Sequence, residues 1–155
     1  MRYLTFFQYI KCNFGFRVVH SLKKWIQIHK SIIKLELSIN FLKDCLNCDI
    51  TPPHLHRFVR QERNLKHVRS ITKFKNIVNR FINSTIRNEI SDAYRHIRFL
   101  RSQIRNLTND ITQILPISIY NNFLEKQDRY LRFVFVSKEC RLKNKLAWLV
   151  RKKRT

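Results

Sequence analysis

Apolar residues recur at helical spacing along the first third of the chain. They are separated by three or four positions throughout: Val18, Leu22, Trp25, Ile28, Ile32, Leu35, Ile39, Leu42 and Leu46. This spacing places the side chains on one face of a helix. Pro52 and Pro53 follow, and proline lacks the N–H group that a continuing helix needs. The pattern predicts a helix over about residues 18–47 that ends in a turn before the two prolines.

A heptad pattern follows the two prolines. Its apolar positions step by four and three alternately: Ile86, Ile90, Ala93, Ile97, Leu100, Ile104, Leu107, Ile111 and Ile114. Upstream, Ile71, Phe74, Val78 and Ile82 continue the pattern with a stutter. Such steps are typical of a coiled-coil seam. They predict a second helix over about residues 66–115. Its β-branched residues lower intrinsic helix propensity, so we expect the Ile86–Ile114 seam to need a partner surface.

A third helical pattern runs beyond Pro116. Its apolar positions are Tyr120, Leu124, Leu131, Val134, Leu142, Leu146 and Leu149. We predict a helix over about residues 117–150, a basic tail at 151–155 and an aromatic-rich segment of unassigned structure at 1–16. Each long helix is apolar along one stripe, so the helices should pack on one another. The predicted fold is all-α, with heptad-bearing helices forming an antiparallel or extended bundle over residues 17–150.

The scarcity of glycine supports this fold and bears on catalysis. Gly15 is the only glycine, whereas sheet proteins need many tight turns that glycine favours. A phosphate-cradling loop needs several glycines, and no strained turn is present to expose a nucleophile. Glu89 and Asp92 are spaced three apart among arginines, which is typical of ion-pair partners on a helix. We therefore predict no catalytic site and no cofactor.

The charge of the chain restricts its partners more than its fold. There are 32 Lys and Arg against 10 Asp and Glu, a formal net charge of +22. Nucleic acid is the first expectation for such a chain. The alternatives are an anionic membrane surface and a fragment whose charge is neutralised by a missing acidic part. No apolar run reaches the ~20 residues of a membrane span. With four cysteines and no cleavage site after the N-terminus, we predict an intracellular protein, nuclear or cytoplasmic.

Basic residues form three clusters that we predict to contact nucleic acid. Arg57, Arg60, Arg63, Lys66 and Arg69 step by three after the prolines; Arg87, Arg98, Arg101 and Arg105 flank the seam; Lys143, Lys145, Arg151, Lys152, Lys153 and Arg154 lie near the end. The planar arginine fork suits phosphate oxygens. A solvated helix face is the alternative for each cluster. Phe58 and Tyr94 lie beside arginines and are candidates for stacking on bases, with core packing as their alternative.

Two cysteines and two histidines near the diproline turn are the candidates for a metal site. Cys45 and Cys48, followed by His54 and His56, would provide the four ligands of a tetrahedral zinc. Their spacing does not match that of familiar fingers, and a His-x-His pair directs its rings to different sides. Cys45 also lies beside the apolar face of the first helix, where a free cysteine packs as a small hydrophobe. We therefore predict no metal.

One stretch of the chain resembles a known family. It reads Lys34-x6-Phe41-Leu42-x2-Cys45-x4-Ile50-x-Pro52-x2-Leu55. This stretch is similar to the region upstream of the polymerase domain in reverse transcriptase proteins of Penelope-like retroelements. Near the end, Lys143-x-Lys145-Leu146-x-x-Leu149 resembles a basic stretch that precedes the catalytic region in those proteins.

The resemblance implies an N-terminal accessory region without the enzyme domains. The family's Tyr-x-Asp-Asp motif does not occur here, and neither does its GIY-YIG endonuclease. The implied product is truncated or split, and binds template RNA or target DNA without polymerising or cutting. The alternative is a coiled-coil interaction module, in which the Ile86–Ile114 seam recruits a partner helix or a second copy of the chain.

Overall fold

The computed structural model describes residues 5–57 and 71–154, apart from the side chains of three residues at the start of the third long helix. The regular structure in these ranges is helical. It consists of α1 (Phe6–Phe14), α2 (Phe16–Asn47), a short 3₁₀ turn (Pro53–Leu55), α3 (Ile71–Ile114) and α4 (Ile117–Arg154). The helices pack against each other, so the predicted all-α fold is confirmed.

Helix α1 lies in the segment that the sequence pattern left unassigned. A capping box begins it: the Thr5 N–H donates to Gln8 Oε1 (3.0 Å), and the Gln8 N–H donates to Thr5 Oγ1 (3.3 Å). The helix ends at Gly15, whose φ of +99° is a conformation that L side chains rarely adopt. Aromatic residues on several sides of this short helix hide its period. One side chain, Ile10, is fully buried.

The long helices differ from the predicted elements mainly at their ends. Helix α2 starts two residues before Val18, directly after Gly15. The predicted start of the second long helix, at about residue 66, lies outside the described residues. Helix α4 continues to Arg154, so residues 151–154 form its last turn rather than a separate tail. Cations are favourable there, because the carbonyl end of a helix carries partial negative charge.

The chain divides into two compact units, whereas the sequence pattern predicts one bundle over 17–150. Unit 1 comprises Met1–Leu35 and His96–Lys138, and unit 2 comprises Glu36–Arg95 and Glu139–Thr155. Each long helix contributes residues to both units. Hydrophobic periodicity records which side of a helix is buried, but it does not record where the packing partners change along the helix. The division therefore leaves no trace in the spacing of apolar residues.

The core of unit 1 is built around an aromatic side chain of α4. Phe123 is fully buried, with its ring centroid 5.3 Å from that of Trp25 and 5.8 Å from that of Phe6. The other buried members of this cluster are Ile10, Val18, Val19, Leu22, Ile111, Leu115 and Tyr120. The cluster joins α1 and the first part of α2 to the α3–α4 connection. That connection, Leu115-Pro116, has the length usual for a helical hairpin.

Among the described residues of unit 2, two apolar clusters involve the second part of α2. In one, Leu42 and Leu55 pack with Val78, Ile82 and Ile86 of α3. In the other, Cys45 and Ile50 pack with Leu149 of α4, and Phe41, Leu146 and Val150 lie against them. The end of α4 therefore completes the core around the end of α2.

The apolar seam of α3 is largely covered in the folded chain. Ile86, Ile97, Leu100 and Ile111 are all buried, whereas Ile114 at its end is 49% exposed. In residues 5–57 and 71–154, no helix combines the length and apolarity needed to cross a membrane.

Candidate nucleic-acid interface

Three of the predicted arginines form a row on the unit 1 part of α3. Arg98, Arg101 and Arg105 are exposed. Steps of three and four residues place them on one side of the helix, beside the stripe that contains the buried Ile97 and Leu100. The amphipathic pattern of α3 thus directs the guanidinium groups to solvent. Arg87 is also exposed, but it belongs to unit 2.

The basic residues near the end of α4 are exposed, but their surroundings differ. Lys143 Nζ lies 3.5 Å from Glu139 Oε1 in the preceding turn. Lys145 Nζ lies 5.6 Å from the ring centroid of Phe41. Lys152 Nζ lies 4.9 Å from that of Trp148. No acidic residue follows Glu139 in the chain, so this part of α4 is strongly positive.

Lys153 contacts the end of α2, although the sequence grouped it with the cations predicted to bind nucleic acid. Its ammonium group donates to the backbone carbonyl oxygens of Cys48 (3.4 Å) and Asp49. It also lies 3.5 Å from Asp49 Oδ2. These carbonyls stand just beyond the end of α2, where the partial negative charge of the helix favours a cation. Lys153 therefore ties the end of α4 to the end of α2.

The cluster after the diproline turn is largely beyond the described residues. Arg57 is exposed, while Arg60, Arg63, Lys66, Arg69 and the stacking candidate Phe58 lie outside the described ranges. The other stacking candidate, Tyr94, is 44% exposed. Lys43 donates to its hydroxyl oxygen at 2.8 Å and lies 5.3 Å from its ring centroid. Tyr94 thus contacts a cation of α2, so a base would have to compete with Lys43 for its ring.

A basic surface on the first part of α2 was missed by sequence reasoning. Arg17, Lys23, Lys24 and Lys34 are exposed there. Lys23 Nζ also lies 5.4 Å from the ring centroid of Phe7. The sequence signal was available, because no acidic residue precedes Glu36. It was overlooked because these cations are spread among the apolar residues of a helix rather than grouped in a run.

The four metal candidates do not form a site. Cys45 is fully buried in the apolar cluster of unit 2. Burial raises the pKa of its thiol to about 11, and the nearby Asp44 and Cys48 act in the same direction. His54 Nε2 instead meets the carboxylate of Glu89, at 2.9 and 3.1 Å. Within residues 5–57 and 71–154, no group of three or more potential ligands comes together, so the residues present do not fit a zinc ion.

The acidic pair on α3 is divided between two partners. Glu89 contacts His54, and Asp92 Oδ1 lies 3.6 Å from Arg95 Nη2, as expected for a helical ion pair.

A groove of about 350 Å³ in unit 2 runs beside Phe41 and Lys143. Asp44 and Glu139 also line it, and their carboxylates would repel a phosphate.

Apart from Lys43, Lys143 and Arg17, which line open grooves, the exposed cations described above lie on helix surfaces. Such surfaces suit an extended polyanion better than a small molecule, which usually binds in a concave and mostly apolar site.

Comparisons with protein-family models, with curated proteins and with solved structures found no match to this chain.

Proposed function

We propose that the chain is a non-catalytic, basic helical module that binds nucleic acid through phosphate contacts. The observation that carries this proposal is the exposed row of Arg98, Arg101 and Arg105 beside a buried stripe. In an α-helix the seven steps from Arg98 to Arg105 span about 10 Å, which corresponds to roughly three nucleotides of a duplex strand. The row therefore has the length and chemistry to contact successive phosphates.

The charge of the whole chain strengthens this reasoning. A net charge of +22 disfavours close approach to another basic surface and attracts a polyanion over the distance set by salt screening. Arginine also binds phosphate oxygens with two parallel hydrogen bonds, which lysine cannot reproduce. The additional cations on α2 extend the positive surface of unit 1 beyond the residues that sequence reasoning selected.

We further propose that this module derives from the N-terminal region of a Penelope-like retroelement reverse transcriptase. Support comes from the stretch Lys34–Leu55, which covers α2 from Lys34 to its end and the turn after it. In this context Cys45 occupies an ordinary core position of a helix rather than a metal site. The test is the DNA downstream of the reading frame, where a decayed polymerase sequence is expected. Flanking DNA without any such sequence, in several related loci, would count against this origin.

The binding proposal is tested by the salt dependence of affinity. The full chain is titrated against a fluorescently labelled 20-base-pair duplex between 50 and 200 mM salt. Replacing Arg98, Arg101 and Arg105 together by Gln should make the log–log slope shallower by about 2–3, because each lost phosphate contact removes about 0.9. The matched variant with three Lys substitutions keeps the charge, so its slope should stay close to that of the wild type. Affinity that does not change between 50 and 200 mM salt would contradict the proposal.

The coiled-coil alternative has less support. Ile86, Ile97 and Leu100 of the seam are already buried within the chain's own units. A partner helix would have to displace those contacts before it could bind. Leu100→Asp should accordingly unfold unit 1 rather than dissociate an oligomer. Sedimentation of the wild-type protein decides the question, because seam-mediated assembly requires a concentration-dependent increase in mass.

A further inference from the structure

An exposed tryptophan stands at the centre of the basic end of α4. Trp148 is 53% exposed, while the next residue, Leu149, is buried in the core of unit 2. Trp148 is the one exposed large hydrophobic side chain within residues 139–154. The apolar stripe of this segment faces the Cys45 cluster through Leu146, Leu149 and Val150. Trp148 therefore lies outside the packing that holds unit 2 together.

Cations surround this indole along the helix. Arg141, Lys145 and Lys152 are exposed, and steps of four, three and four residues place them with Trp148 on one side of α4. Lys152 Nζ lies 4.9 Å from the indole centroid, within the range of a cation–π interaction. The indole is still 53% exposed beside this contact. Part of the indole surface is therefore open to solvent, and a base that covers more of it would compete with Lys152, as a base at Tyr94 would compete with Lys43.

We propose that Trp148 is a stacking platform for an unpaired base, with Arg141, Lys145 and Lys152 contacting the flanking phosphates. The inference rests on the proposed binding of nucleic acid and adds its substrate class, a single strand. Bases in a duplex are stacked on one another and present only their edges in the grooves. In a single strand their faces are free, and stacking on aromatic side chains is the usual way to bind them without sequence preference.

The surroundings of Trp148 favour this occupant over a lipid surface. A helix that lies in a membrane interface needs an apolar face several residues wide. The apolar face of α4 is covered in unit 2, so Trp148 alone would enter the lipid. The positive residues on both sides of the indole combine phosphate contacts with a stacking ring, as proteins that bind single strands do.

The test compares two probes with the full-length chain. One is a labelled single strand of 12 nucleotides of mixed sequence, and the other is a blunt-ended duplex with the same number of phosphates and no unpaired base. Trp148→Ala should weaken single-strand binding about 10-fold and leave duplex binding unchanged, because only the single strand loses a stacked base. Trp148→Phe should keep most of the affinity. The matched control is Phe133→Ala, which removes a 72% exposed ring from the unit 1 part of α4 and should change neither affinity.

Fluorescence provides a second readout. The chain has two tryptophans, and Trp25 is only 6% exposed in the core of unit 1. Quenching by the single strand should therefore come from Trp148 and be absent in Trp148→Phe, while the buried indole continues to emit. This readout does not depend on any change in affinity.

The outcomes separate this inference from the proposed function. If the wild type binds both probes with a steep salt slope and Trp148→Ala has no effect on either, the stacking platform is wrong while phosphate binding stands. If the wild type binds neither probe at 50 mM salt, the proposed function itself fails. Loss of self-association in Trp148→Ala, or loss of binding to vesicles containing phosphatidylserine with single-strand affinity unchanged, would assign the indole to another partner and overturn the inference.

Discussion

Truncating the central side chain of unit 1 tests the packing on which the arginine row depends. Phe123 is fully buried, and its ring lies near those of Phe6, Trp25 and Tyr120. Phe123→Ala removes the whole ring from this cluster. Because three aromatic neighbours are themselves anchored on α1, α2 and α4, they cannot all move inwards to fill the space.

The expected loss of unfolding free energy follows from this environment. Phe→Ala substitutions in a core cost about 3–5 kcal/mol, through lost burial and the cavity that remains. Each favourable aromatic pair adds about 0.5–1.5 kcal/mol beyond the buried area. The ring centroids of Phe6 and Trp25 both lie closer than 6 Å to that of Phe123. We therefore expect Phe123→Ala to lower the unfolding free energy by about 4–5 kcal/mol, the upper half of this range.

The assay is urea unfolding followed by helical circular dichroism and by tryptophan fluorescence. Trp25 is a local reporter, because its ring lies 5.3 Å from that of Phe123. Phe133→Ala is the control: it is the same chemical change on the same helix, at a side chain that is 72% exposed. Its effect should lie within about 0.5 kcal/mol of zero, as for most surface substitutions.

A loss below about 1 kcal/mol in Phe123→Ala would contradict this packing, since removal of a fully buried phenyl ring costs about 3–5 kcal/mol. Equal losses in the two variants would also refute it, because burial would then have no bearing on the result. A large loss with an unchanged fluorescence transition would mean that Trp25 does not pack where the structure has it.

Three further predictions concern the Cys45 thiol and the Lys153 ammonium group. Cys12, Cys48 and Cys140 are exposed, whereas Cys45 is buried and burial raises the pKa of its thiol to about 11. A thiol reagent at pH 8 should therefore modify three thiols rapidly and the Cys45 thiol only after unfolding. Rapid reaction of all four thiols would contradict this. Because the unfolded thiol has its ordinary pKa of 9.0 and the folded thiol a pKa of about 11, the unfolding free energy should fall between pH 9 and 11 relative to Cys45→Ala. Lys153→Gln should lower the unfolding free energy by about 1 kcal/mol, because a half-exposed ammonium loses its contacts at the end of α2, while Arg154→Gln should have little effect. Chemical denaturation of both variants checks this, and equal stability would exclude the proposed tie between α2 and α4.

The helical fold was predictable because the buried face of a helix requires apolar residues at steps of three and four positions. The residues of the Val18–Leu46 stripe and of the α3 seam supply many of the buried positions. Other features depend on contacts between distant segments, and spacing does not contain them. Lys153 and Asp49 are 104 positions apart, and no local pattern separates Lys153 from the cations beside it. The exposure of Trp148 was likewise invisible, because an aromatic residue between two leucines is expected to belong to the same core.

The candidate site was predictable in its charge but less so in its geometry. Counting cations identified the row on α3 and the end of α4. It did not identify Arg17, Lys23 or Lys24, which are exposed because Val18, Val19 and Leu22 turn into the core. Distinguishing a cation that faces solvent from one that holds two helices together requires the positions of its partners, as the cases of Lys153 and Lys43 show.

The contact between the end of α4 and the end of α2 also orders events during synthesis. The residues assigned to unit 1 are all present once Lys138 has been added, but the Cys45 cluster lacks Leu149 until later. The 104 positions between Asp49 and Lys153 correspond to about 5–20 s of translation at ordinary rates. During that interval part of the apolar surface at the end of α2 lacks the α4 residues that cover it. The residues of unit 1 are therefore all synthesised before the last α4 residue of the Cys45 cluster.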